Sequence, residues 1–69
     1  MKIIYSGIGN VTGNYYIDIE HGGNVYEVVA SGFGYSVAHE DFTVKINETI
    51  YNEITTFVSE YIKLEKLVR

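Results

Sequence analysis

NETIYNEITTFVSEYIKLEKLV, residues 47–68, decides the architecture, because no other stretch sustains an apolar period of three and four residues. Ile50, Ile54, Phe57, Tyr61, Leu64 and Val68 recur at those steps and stack on one helix face. Asn47 stands just before the run, where its side-chain oxygen can accept a backbone N–H of the first turn. The period predicts one helix over 47–68, about 33 Å long. A strand of seven residues reaches only about 23 Å. The helix is therefore expected to outrun any sheet it covers by a turn or more. Its apolar sector is also broad, since Tyr51, Val58 and Ile62 flank the main stripe and Glu65 falls within it in the last turns. That flank is expected either to be wrapped by a curved sheet or to form a dimer edge, Tyr51, Val58 and Ile62 joining two copies in a homodimer.

Everything upstream of Asn47 reads as strands in need of that helix. Lys2 to Ile8 is rich in β-formers and predicts a first strand, with the buried face open between Ile3 with Tyr5 and Ile4 with Ile8. Gly9 to Gly13 is a turn by composition. From Asn14 to Glu20, Tyr15, Ile17 and Ile19 alternate with Tyr16, Asp18 and Glu20, and Val25 to Ala30 is again β-branched and aromatic. Gly22-Gly23 between them supplies the positive φ angles of a two-residue hairpin turn. Closing the turn there pairs His21 with Asn24 and runs the register back to Tyr15 opposite Ala30. One face is then Tyr15, Ile17, Ile19, Tyr26, Val28 and Ala30, the predicted core. The other is Tyr16, Asp18, Glu20, Val25, Glu27 and Val29.

Ser31-Gly32-Phe33-Gly34-Tyr35 breaks the third strand, leaving residues 36–40 as its extension beyond a bulge or as loop. Phe42, Val44 and Ile46 alternate with Thr43 and Lys45 and predict a fourth strand. The expected fold class is α+β: a small four-stranded, mainly antiparallel sheet (β-β-β-β-α) with one C-terminal helix packed on one face. It forms a single domain over 1–69, with the sheet inside 2–46 and the helix at 47–68.

At this size a domain buries only about 60% of the surface its unfolded chain exposes. With no cysteine among the 69 residues, no disulfide adds to that, and thiolate metal sites and cysteine nucleophiles are excluded. Nine acidic against five basic side chains give a net charge of −4. Binding of nucleic-acid phosphates needs clustered cations. Here Lys2 and Lys45 stand alone, and Lys63, Lys66 and Arg69 alternate with acids, so direct nucleic-acid binding is not expected. No apolar run is long enough to span a membrane, and the N-terminus has no long apolar segment, so an intracellular (cytoplasmic) protein is expected.

Catalytic chemistry finds little to stand on. His39-Glu40-Asp41 is the densest polar trio, yet adjacent residues on extended chain point in opposite directions and do not converge on one metal. Gly7-Ile8-Gly9-Asn10-Val11-Thr12-Gly13 misses the dinucleotide-loop spacing and no helix follows it. The expectation is a non-catalytic protein with no cofactor and no metal; a small ligand- or metal-dependent enzyme using the trio is the alternative.

One constellation remains. The predicted outer hairpin face mixes Tyr16 and Val29 with Asp18, Glu20 and Glu27, and Asp18 falls directly opposite Glu27. Tyrosine offers contact area with little rotamer entropy to lose, and carboxylates steer toward a basic surface. Tyr16, Asp18, Glu20, Glu27 and Val29 are therefore the expected partner-binding residues, for a protein with a basic surface. In being short, acidic, cysteine-free and tyrosine-rich, the chain resembles the small acidic proteins of phages and mobile elements that block nucleic-acid-handling enzymes, anti-CRISPR inhibitors among them. The resemblance implies an inhibitor of such an enzyme.

Overall fold

The computed structural model describes residues 1–68 of the chain, with side chains to Leu64. The Glu65 and Val68 side chains, the Lys66 side chain, and Arg69 lie outside what is described. Four strands, β1 (Lys2–Ile8), β2 (Tyr15–His21), β3 (Asn24–Ser31) and β4 (Gly34–His39), precede one helix, α1 (Glu48–Val68). The strands lie in the order β1-β2-β3-β4, each antiparallel to the next, and α1 packs on one face of the sheet. The fold is α+β.

The central hairpin takes the expected register at every position, from His21 opposite Asn24 to Tyr15 opposite Ala30. Gly22 (φ 59°) and Gly23 (φ 81°) both adopt positive φ, so the turn's own twist matches that of the strands it joins. Ile17, Ile19, Tyr26, Val28 and Ala30 are buried, and Tyr15 packs against them.

β1 explains why its buried face was ambiguous from sequence. Ile3 pairs with Ile19, but the register then shifts and Tyr5, not Ile4, stands opposite Asp18. Ile4 is the extra residue of a β-bulge. The bulge resets the alternation, so Ile3 before it and Ile8 after it both sit on the core face.

The fourth strand is not where the alternation of Phe42, Val44 and Ile46 put it. The segment Ser31 to Tyr35 is a hairpin turn and not a mere interruption, and residues 34–39 fold back onto β3 with Val37 opposite Val28. Ser31 Oγ accepts the Phe33 N–H at 3.2 Å, and Gly34 takes a φ of 132°. Residues 42–46 are prevented from extending by Asp41. Its carboxylate accepts the Thr43 N–H at 3.0 Å while its carbonyl accepts the Val44 N–H at 3.0 Å, which turns the chain. Phe42 is left 80% exposed, and only Ile46 of the three reaches the core.

Asn47 caps the helix as its chemistry predicts, its Oδ1 accepting the Ile50 N–H at 2.8 Å. Ile54 and Val58 form the buried centre of α1, with Ile50, Phe57, Tyr61 and Ile62 packed around them. The dimer edge expected at Tyr51, Val58 and Ile62 is therefore corrected: Val58 is 0% exposed and Ile62 packs on the core. Tyr51 keeps part of its surface, but its hydroxyl donates to the Tyr35 carbonyl at 3.2 Å. The broad apolar sector is wrapped by the twisted sheet. Leu64, one turn further on, is exposed, as expected of a helix longer than the strands beneath it. Ser6 Oγ to Tyr61 Oη (2.8 Å) and His21 Nε2 to Glu53 Oε2 (3.1 Å) tie the helix to β1 and to the end of β2.

Candidate functional site

The sheet face turned away from α1 is built by register alone. Reading across the strands, one row is Tyr5, Asp18, Glu27 and Ala38, and the next toward the Gly9–Gly13 turn is Gly7, Tyr16, Val29 and Ser36. On the other side of the first row lie Lys2, Glu20 and Val25. All five expected partner-binding residues, Tyr16, Asp18, Glu20, Glu27 and Val29, thus share this face. Sequence reasoning missed Tyr5, because its face could not be assigned without the bulge at Ile4.

Two tyrosine rings lie down on this surface. A Cβ at Gly7 would come within 2.8 Å of Tyr5 Oη, and one at Gly9 within 2.9 Å of Tyr16 Cε2. The glycines are the floor on which the rings rest, an arrangement in which an aromatic side chain covers backbone that glycine leaves bare. Tyr5 is 57% exposed and Tyr16 39%, so each ring keeps one side toward solvent.

The electrostatics follow from hydrogen-bond alternation. A two-residue hairpin loop is flanked by a hydrogen-bonded pair, here His21 and Asn24, so Ile19–Tyr26 and Ile17–Val28 are hydrogen-bonded while Asp18–Glu27 is not. The Glu40 N–H donates to the Val25 carbonyl at 2.8 Å, which confirms that parity on β3. At a non-hydrogen-bonded position the side chains come closest, and like charges directly opposite are destabilising. Asp18 is half-buried, Glu27 and Glu20 are exposed, and none of the three is in an ion pair among the described residues. The neighbouring Lys2, opposite Glu20, brings one cation to three carboxylates.

Two members of the His39-Glu40-Asp41 trio, His39 and Asp41, are engaged in local hydrogen bonds. His39 Nδ1 accepts the Asp41 N–H at 2.9 Å, which leaves the ring proton on Nε2 to be donated to Asn24 Oδ1 at 3.0 Å. The ring also meets Tyr26 edge-on, with centroids 5.3 Å apart. Asp41 Oδ1 accepts both the Thr43 hydroxyl (2.8 Å) and the Thr43 N–H (3.0 Å), and these bonds lower its pKa. His39 Nδ1 and the Asp41 carboxylate thus hold the β4-to-α1 connection, while His39 Nε2 ties the end of β4 to the start of β3. Among the described residues, no three His, Asp or Glu side chains converge as metal ligands. A groove of about 640 Å³ beside β4 is lined by Val37, His39, Phe42, Val44, Ile46 and Tyr51, among others, and its histidine is the one already engaged.

Among the described residues no helix is long and apolar enough to cross a membrane. No protein-family model matches this chain, and neither does a curated protein or a solved structure.

Proposed function

We propose that this chain is a non-catalytic protein-binding module, acting inside the cell, that docks its outer sheet face on a basic surface of a partner protein. The observation that carries the reading is the row Tyr5–Asp18–Glu27: two carboxylates face each other at the close-approach position with no ion-pair partner among the described residues, beside a tyrosine ring that reaches over Gly7. For the isolated domain that juxtaposition is unfavourable by roughly 0.2–1 kcal/mol. A guanidinium placed between the carboxylates turns the repulsion into two charge-assisted hydrogen bonds and stacks on the ring beside it. The face presents its tyrosine rings and carboxylates in rows across an open antiparallel sheet, which suits recognition of a protein surface. An inhibitor that occupies the nucleic-acid groove of an enzyme meets these requirements, since such grooves are lined with arginine and lysine.

The test is affinity capture with the tagged protein from lysate of its source cells, at low and high salt, beside a variant with Asp18→Lys, Glu20→Lys and Glu27→Lys. The expected result is a basic, nucleic-acid-handling partner that is recovered at low salt, lost at high salt, and absent with the variant. Circular dichroism of the variant should match the parent, because all three positions lie off the core. Equal recovery by the triple variant would remove this face as the site.

A further inference from the structure

The two edges of the sheet are not alike. On β4 the hydrogen-bond alternation turns the backbone of Tyr35, Val37 and His39 outward, but the Tyr35 carbonyl already accepts the Tyr51 hydroxyl. The edge also faces a wall formed by residues 42–48, with Asp41, Lys45 and Glu48 around it. Charge and cover are the usual protections of an edge strand.

β1 has neither. The Gly9 N–H donates to the Asn14 carbonyl at 2.9 Å, so Gly7 and Tyr5 bond inward to β2 while Ser6 and Ile8 turn their N–H and C=O groups away from the sheet. From Ile3 to Ile8 there is no charged residue. Ile4 is 52% exposed, Tyr5 57% and Ile8 37%. Among the described residues only β4 of the four strands is closely approached by the backbone of α1; β1 meets the helix through side chains, as in the Ser6–Tyr61 bond on its inner face, and its edge stays the less covered of the two. An uncharged, apolar edge with unsatisfied backbone groups is a template for another strand.

We infer that β1 pairs antiparallel with β1 of a second copy, about a two-fold axis at Ser6, to give one continuous eight-stranded sheet. The observations favour a second copy over a foreign strand for two reasons. An edge free of acidic side chains is where two molecules of net charge −4 meet with least repulsion. A two-fold contact is also self-complementary and closed, since it uses both β1 edges and leaves only the walled β4 edges outside. Centring on Ser6 satisfies the outward backbone of Ser6 and sets Tyr5 opposite Gly7 and Ile4 opposite Ile8 of the second copy. The bulge at Ile4 keeps the pairing short, so a weak, concentration-dependent dimer is expected. The inference is independent of the proposed docking face, which stays open in such a dimer and is doubled by it.

Sedimentation equilibrium from about 5 µM to about 500 µM tests it by mass action. The mass should rise from 7.8 kDa toward twice that value. Over the same range, amide exchange at Ser6 and Ile8 should slow several-fold, in step with the falling monomer fraction, while Val37 and His39 stay unchanged. The double variant Ile4→Lys/Ile8→Lys should hold the monomer mass with the parent's circular dichroism. Three results would overturn the inference: a parent that stays at the monomer mass throughout, a dimer that survives in the double variant, or concentration-dependent protection at Val37 and His39 with none at Ser6 and Ile8. Loss of the parent's circular dichroism in the double variant would leave the exchange data on the parent to decide.

Discussion

Single residues set the turns that everything else depends on. Gly22 and Gly23 are held at positive φ with open space around both, so what matters there is backbone freedom. Asparagine tolerates positive φ and leaves the unfolded chain fewer conformations than glycine, so Gly22→Asn should stabilise by about 0.5 kcal/mol, whereas Gly22→Val should destabilise. Urea unfolding with an unchanged m-value reads both. Asn47 has the opposite character: its role is a single acceptor at 2.8 Å from the Ile50 N–H, and Asn47→Ala should cost about 1 kcal/mol. Asp41 makes the connection before the helix sensitive to pH. Two bonds from Thr43 lower its folded-state pKa below the unfolded value, with the neighbouring His39 adding to the same direction. The folded chain therefore releases this proton more readily. The contribution is fully present above the ordinary carboxylate range and is lost as pH falls through the lowered folded value. The Thr43 amide should lose exchange protection over that acid range, and in Asp41→Asn the pH dependence at Thr43 should vanish. Persistence of the same acid transition in that variant would assign it to another carboxylate.

At the scale of elements, α1 is the component whose loss the sheet cannot survive. Ile54 and Val58 are both 0% exposed, whereas Leu64, on the same helix, is 62% exposed. Ile54→Ala should cost about 2–5 kcal/mol, a large share of a small domain's stability, and Leu64→Ala no more than about 0.5 kcal/mol. Val58→Asp should prevent folding altogether, which thermal denaturation would show as the absence of a transition. The elements also show what a sequence discloses. The helix and the Gly22-Gly23 hairpin were legible because their signals are local: a period, a cap and a turn dipeptide. The fourth strand was not, because two weak local signals competed. Phe42 to Ile46 has the better β-forming composition, but Asp41 bends that segment through its own side chain, while the plain sequence Tyr35-Ser36-Val37-Ala38 is drawn into the sheet by the hairpin at Ser31–Gly34. The candidate face was legible for β2 and β3, where the turn fixes the register. On β1 the bulge at Ile4 hid Tyr5, since a one-residue register shift moves every later side chain to the other face and leaves no mark in composition.

For the whole molecule the decisive quantity is unbalanced negative charge. Net charge is −4, and on the outer face Lys2 is the one cation that the register sets beside Asp18, Glu20 and Glu27 among the described residues. Repulsion among exposed carboxylates is screened by salt: the Debye length falls from about 30 Å at 0.01 M to about 3 Å at 1 M. The folded state should therefore gain stability as sodium chloride is raised, the reverse of a protein held together by surface ion pairs. Asp18→Asn removes one side of the closest like-charge pair while keeping its shape. It should raise stability at low salt by roughly 0.2–1 kcal/mol. In a domain of this size that corresponds to a rise in Tm of up to about 8 °C. The same variant should show a weaker salt dependence than the parent, because the repulsion that salt would have screened is already gone. Calorimetry of both proteins at dilute, monomeric concentration measures the two effects together. A basic partner acts on the same repulsion as salt does, but locally and with hydrogen bonds added, so the salt gain in Tm and the affinity for a cationic surface have one physical source. If Tm were indifferent both to salt and to Asp18→Asn, the carboxylates would already be compensated within the fold, and the outer face would lose the unmet charge on which its role as a docking surface rests.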